Sequence, residues 1–289
     1  MKIAQRIVVE YYRKKFNTLS LVSPRKAAEK AFELFCTTYT RKRNFPIPEI
    51  FKKADQLTIN IENIAVKGFR WKPGDNANGK KILICHGFDG YSYRFDKYVP
   101  SLLAKGFEVL AFDAPAHGVS SGTTITVIQY RDMILEINKH HGTLDGIMAH
   151  SFGGLAVALA LEKLKDYHCK RLVLIAPATE TTHAVEAFLR YLKLNEKVIT
   201  AFNKLIEELG GAPASWYSVA RVLQNIDVPT LWLHDVEDTI TPYEHMHHLT
   251  EKGLPHIQFE ITKGLGHSLY THDSIHNKIV AFFSELIEM

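Results

Sequence analysis

Residues 145–154 read DGIMAHSFGG, and the order of residue types in this stretch decides how the chain around it folds. An apolar run ends at Ala149, the polar pair His150-Ser151 follows, and Gly153-Gly154 open a segment rich in Leu and Ala. That is the pattern of a buried strand turning sharply into a helix that starts at Phe152. The serine lies between small residues, with Ala149 two before it and Gly153 two after. Taken alone, the same pattern also fits a serine that merely caps a helix after a buried strand.

Working outward, short apolar runs recur on both sides of this corner: KILIC at 81–85, FEVLAF at 107–112, RLVLIA at 171–176, PTLWLH at 229–234 and IQFEI at 257–261. Helical stretches fit between most of them, for example 94–105, 124–140 and 152–166. Alternating strands and helices imply right-handed crossovers and a parallel sheet covered on both faces. Ahead of them, Leu57, Ile59 and Ile61 alternate with polar residues, and a second β-like run at 64–71 follows a Glu62-Asn63 turn. That pair is an antiparallel hairpin. The expected fold class is α/β, an eight-stranded, mostly parallel sheet with helices on both faces.

One interval breaks the alternation. Between the runs at 171–176 and 229–234, residues 178–228 are too many for a simple crossover. Val185, Phe188, Leu189 and Leu192 form one helical stripe, and Val198, Phe202, Leu205, Ile206 and Leu209 form another. Gly210-Gly211 breaks the second helix, and a third segment lies around Tyr217–Leu223. This reads as an inserted helical cap, whose apolar residues suit an apolar pocket.

The chain has 289 residues with 46% hydrophobic and 23% charged, the composition of a folded globular protein. Its net charge of +4 is unevenly spread: residues 1–54 hold thirteen Lys and Arg against four acids, and the remainder sums to −5. The basic segment reads as an α-helical extension. Val8, Tyr12 and Phe16 share one helical face, while Ser23-Pro24 has the form of an N-cap followed by proline at the first helical position. Its basic face is expected in water, with an arm that contacts an anionic membrane surface or a nucleic acid as the sharper alternative. The domain expectation is therefore an extension over 1–54 and a main domain over 55–289 with the insert at 178–228. The overall basicity is too weak to imply a nucleic-acid partner.

Cys36, Cys85 and Cys169 lie far apart with no CxxC pair, which argues against a disulfide framework or zinc site and for a reducing compartment. No apolar run is long enough to span a membrane, and Arg6 and Glu10 interrupt any signal-peptide core. A cytoplasmic location is expected.

The corner at Ser151 resembles the nucleophile elbow G-x-S-x-G of the α/β-hydrolase superfamily, with Ala149 in place of the first glycine. HGFDG at 86–90 resembles that family's H-G-x-x-G turn, and FDAPAHGVSSG at 112–122 its D-x-x-G-x-G-x-S loop, with Ala116 replacing a glycine. In the resemblance, the backbone N–H groups of Phe88 and Phe152 form the oxyanion hole, while Asp113 and His117 are structural. Acid and base follow the nucleophile in chain order. DVEDTITP after the strand at 229–234 resembles the family's acid loop and makes Asp238 the acid, with Asp235 and Glu237 as nearby competitors. GLGHSLY places His267 where relatives carry the base.

The resemblance implies a serine hydrolase, expected to cleave a carboxylic ester of a small or medium apolar substrate. A thioesterase, an amidase or peptidase, and a carbon–carbon bond hydrolase share the same triad. From another class, a non-catalytic ligand-binding protein can retain this fold. No P-loop or dinucleotide fingerprint is present, so no nucleotide cofactor is expected. The His245, His247 and His248 cluster lacks metal-ligand spacing, so no metal is expected either.

Overall fold

The computed structural model describes residues 3–39, 45–164 and 169–287. Of the basic segment, Lys2, Arg41, Lys42 and Arg43 fall outside the described residues. Two compact units are present, one made of residues 1–37 and 180–218, the other of 38–179 and 219–289.

The larger unit is built on one eight-stranded sheet. β1 (Asp55–Ile61) and β2 (Ile64–Trp71) form the expected hairpin, closing through Ile61 opposite Ile64. β3 (Lys81–Cys85), β4 (Glu108–Phe112), β5 (Gly146–His150), β6 (Arg171–Ile175), β7 (Thr230–Asp235) and β8 (Ile257–Thr262) run parallel to one another. The spatial order is β1-β2-β4-β3-β5-β6-β7-β8, with β2 antiparallel to both of its neighbours. β5 is buried along its whole length and β3 nearly so, because both sheet faces carry helices. That double burial is why these strands read as continuous apolar runs instead of alternating ones.

Successive strands step outward in opposite directions from β3 and β5. The chain therefore leaves the carboxyl ends of these two neighbours on opposite sides, opening a crevice at that edge. Cys85 pairs with Ala149 across it, so the turn after β3 and the corner after β5 lie side by side. α6 (Phe152–Lys163) starts directly at that corner. The helix expected over 152–166 stops at Lys163, and residues 165–168 fall outside the described residues.

Helices from both ends of the chain's first two-thirds build the smaller unit. α1 (Ile3–Leu19) and α2 (Pro24–Cys36) come from the basic segment, while α7 (Thr181–Tyr191) and α8 (Glu196–Gly210) come from the inserted interval. The Ser23 hydroxyl accepts from Lys26 N with Pro24 inside the cap, as the sequence reads. Asn195 caps α8 and reaches α1: its side chain accepts from Val198 N and donates to Ser20 Oγ at 2.9 Å. Asn17 Nδ2 donates to Lys193 O at 3.1 Å, and Phe35 packs on Phe188 with ring centroids 5.1 Å apart. The first boundary of this unit falls at Thr37 and its second segment spans 180–218, because α1 and α2 bury their apolar faces against α7 and α8. Among the described residues, no helix is long and apolar enough to cross a membrane.

Candidate active site

Ser151 sits between β5 and α6 at φ 53° and ψ −121°, a conformation few non-glycine residues adopt. Its backbone is held from three directions. Ser151 N donates to Ile175 O at 2.9 Å, while Ser151 O accepts from Gly154 N at 2.9 Å and Ala178 N at 3.0 Å. Such strain persists only where surroundings over-determine it. Ala149 needs no glycine conformation: it is an ordinary buried strand residue paired with Cys85 and Leu174. Ala116, by contrast, adopts φ 67°, which accounts physically for glycine at that place in the family pattern.

Gly153 is required by space. A Cβ there would lie 2.5 Å from the His86 carbonyl oxygen, which also accepts from the Tyr130 hydroxyl at 2.9 Å. Gly153→Ala is expected to push α6 off the end of β3 and lower turnover of an activated ester about 100-fold, since displacements near 1 Å carry that cost. Steady-state kinetics of the folded variant check it.

The turn at 86–90 lies directly over the serine. A Cβ at Gly87 would come within 2.9 Å of Ser151 Cβ, and the Phe88 and Phe152 rings meet edge to face at 5.7 Å. Two buried histidines brace the turn. His86 donates from Nδ1 to Gly87 O and accepts at Nε2 from Ala114 N; His117 donates from Nδ1 to Pro115 O and accepts at Nε2 from Asp89 N at 3.0 Å. Asp113 accepts from Ser92 N and Val119 N, tying the loop after β4 to the same turn.

His150 faces the same corner. Its Nε2 donates to the His267 carbonyl at 2.9 Å and its ring lies 4.6 Å from the His267 ring. His267 follows β8, and its Nδ1 lies 2.8 Å from Asp238 Oδ2. Asp238, in the loop after β7, is also oriented by Thr241: the Ile240 and Thr241 N–H groups donate to Oδ1, and Thr241 Oγ1 donates to Oδ2 at 2.8 Å. Burial works to raise the Asp238 carboxyl, but hydrogen bonds from His267 and Thr241 outweigh it and hold it at about 2. The two competitors are elsewhere. Asp235 accepts from Thr262 Oγ1 and Leu265 N, and Glu237 points to solvent.

Burial holds the imidazoles of His86, His117 and His150 down at about 4, about 4 and about 3, below the ordinary 6.5. These histidines stay neutral when folded but take up protons when unfolded, so stability is full above about 6.5 and is lost as pH falls through the folded values. Each costs about 1.4 kcal/mol per pH unit within that window. Thermal melts are expected to fall steeply between pH 6.5 and 4, and His117→Asn is expected to flatten the slope.

Sequence reasoning gave Thr241 no role and read His150 as pocket wall or strand end; His150 is the last residue of β5. The signal for Thr241 is its place three residues after Asp238; for His150 it is adjacency to the serine.

Comparison with known proteins gives one family match and several similar folds. Residues 76–214 match the serine aminopeptidase S33 family. The fold is similar to that of an esterase from Pyrococcus furiosus, at TM-score 0.62 and 18% identity over 88% of this chain and 97% of that one. The chain has the α/β-hydrolase fold. Among curated relatives, the uncharacterized protein YqkD of Bacillus subtilis is 26% identical over 65% of the chain. The match spans 64% of YqkD's own length, a little under two thirds. A putative esterase/lipase of Mycoplasma genitalium is 24% identical over 75% of the chain and 92% of its own length.

Proposed function

We propose that this protein is a serine hydrolase of the α/β-hydrolase superfamily that cleaves carboxylic esters of small or medium apolar substrates through an acyl-enzyme intermediate. One observation carries the reading: a strained serine at the β5–α6 corner shares a sheet edge with a histidine hydrogen-bonded to a buried carboxylate. The chemistry is assigned to the unit of residues 38–179 and 219–289.

With Nδ1–H donated to Asp238, His267 keeps its lone pair on Nε2. Nε2 takes the proton of Ser151 Oγ as that oxygen attacks the ester carbonyl carbon. The carbonyl π electrons move onto oxygen, where the Phe88 and Phe152 N–H groups receive the charge. The intermediate collapses, the C–O bond to the alcohol breaks, and His267 returns the proton to the departing alkoxide. Water, giving a proton to His267, then attacks the acyl carbon; the bond from that carbon to Ser151 Oγ breaks, His267 returns the proton to Oγ, and the carboxylic acid leaves. The Phe88 and Phe152 rings beside the serine favour an apolar acyl or alcohol group.

A cysteine nucleophile is disfavoured by burial, which pushes Cys36 and Cys169 up to about 12 and raises Cys85 further still. Three free, buried thiols also fit a reducing cytoplasmic setting.

The test is a panel of p-nitrophenyl esters of increasing acyl length, run beside thioesters and peptide amides. Preferred turnover of esters supports the reading. Turnover confined to amides would move the activity to a peptidase, and no turnover with no fluorophosphonate labelling would favour a binding protein.

A further inference from the structure

We propose that the outer face of α1, continued by the Leu21-Val22 turn, docks on an anionic lipid surface. Val9, Phe16 and Ser20 mark the buried side of this helix. On the opposite side, Ile7, Val8, Tyr11, Lys14, Lys15 and Thr18 recur at three- and four-residue spacing, and all are exposed. Ile7 is 64% exposed and Tyr11 57%; in the turn that follows, Leu21 is 74% and Val22 87% exposed. Five large apolar side chains in water within sixteen residues are more than scattered surface residues require.

The charges around them that form no ion pair are basic, and Glu33, the acid within Coulombic reach of Lys15, is itself paired with Lys30. Lys14 and Lys15 lie on the face itself, and Lys26 is exposed just beyond the turn. No carboxylate occurs among the face residues. Glu10, on the flank, is paired with Arg13, and Arg25 is paired with Glu29 and Glu208. Among the described residues, Lys14, Lys15 and Lys26 form no ion pair. Lys15 instead lies 5.5 Å from the centre of the Tyr11 ring.

These features select among occupants. A second copy meeting this face across a two-fold axis would bring lysines against lysines with no acid to compensate. A nucleic-acid backbone would neutralise the lysines but leave Ile7, Val8, Leu21 and Val22 with no apolar layer to enter. An anionic bilayer offers both partners at once. Headgroup phosphates face the lysines, and the acyl boundary about 5–10 Å below receives the apolar side chains. Tyr11, with an apolar ring and a polar hydroxyl, suits the boundary between them.

The experiment is sedimentation of the full chain with phosphatidylcholine vesicles, with and without phosphatidylglycerol. Binding is expected only where phosphatidylglycerol is present, and it is expected to weaken as ionic strength rises from about 20 mM to about 300 mM, where screening shortens. Lys14→Glu with Lys15→Glu is expected to weaken it at least about tenfold, given the contribution of each basic residue near such a surface. Leu21→Asp with Val22→Asp is expected to abolish it, with thermal melts and hydrolysis of a soluble ester unchanged in both variants. The proposal falls if anionic vesicles fail to bind the chain at low ionic strength, or if either variant binds as well as the parent. It falls equally if the substitutions dissolve a dimer, or release duplex DNA, while vesicles are ignored.

Discussion

Ser151→Ala is expected to remove ester hydrolysis almost completely, by at least about 10⁴-fold in kcat, and to abolish covalent labelling by a fluorophosphonate. The size follows from what the hydroxyl does. Without Oγ there is no acyl-enzyme, and water would have to attack the ester directly from a site shaped for the serine. The rest of the site remains, because the elbow's strain is imposed by backbone bonds to Ile175, Gly154 and Ala178 that do not involve the side chain. Ser151 is largely buried, so removing Oγ leaves a small space and the fold should persist. Circular dichroism unchanged from the parent, with mass spectrometry mapping the label to Ser151 in the parent alone, completes the check. Hydrolysis retained within tenfold of the parent would sink the nucleophile assignment.

What could be read from the chain before its fold was known depended on how local each feature is. The strand runs were legible because a doubly covered parallel strand is apolar on both faces, and KILIC and TLWLH advertise that in five residues each. The corner at Ser151 was legible for the same reason, since its small neighbours are adjacent in sequence. The candidate acid was harder. Asp235, Glu237 and Asp238 fall within four residues, and what separates them is contact with His267, about thirty positions away. Thr241 and His150 gain their meaning only from partners supplied by other loops. The smaller unit was least legible of all. Arg13 donates to Leu192 O, and Asn17 donates to Lys193 O, across almost 180 residues of chain. Amphipathic periodicity predicts that a helix has a buried face, but it does not name the helix that covers it.

Asp238→Asn is expected to lower kcat by about 10⁴-fold while leaving KM within a few-fold, because it changes a tautomer more than a shape. In the parent, all the hydrogen bonds reaching this carboxylate are donated to it: Ile240 N and Thr241 N to Oδ1, and Thr241 Oγ1 and His267 Nδ1 to Oδ2. An asparagine can keep its oxygen toward the two backbone donors, where geometry demands an acceptor. Its amide N–H₂ then faces His267 Nδ1 and Thr241 Oγ1, so the imidazole must present a lone pair at Nδ1 and carry its proton on Nε2. A protonated Nε2 cannot accept the Ser151 proton. Thr241→Val tests the same network at lower cost. It removes one hydrogen bond to a charged acceptor, so a loss of about 10–100-fold in kcat is expected. The carboxylate also leaves a signature in stability. Its folded value of about 2 lies below the ordinary 3.8, so its contribution is complete above pH 3.8 and is lost as pH falls toward 2. Below pH 4 the parent therefore gains protons on unfolding that Asp238→Asn does not. Chemical denaturation of the two proteins from pH 5 down to 2 should show their stabilities converging; curves that stay parallel would mean the carboxylate is not held by the His267–Thr241 network.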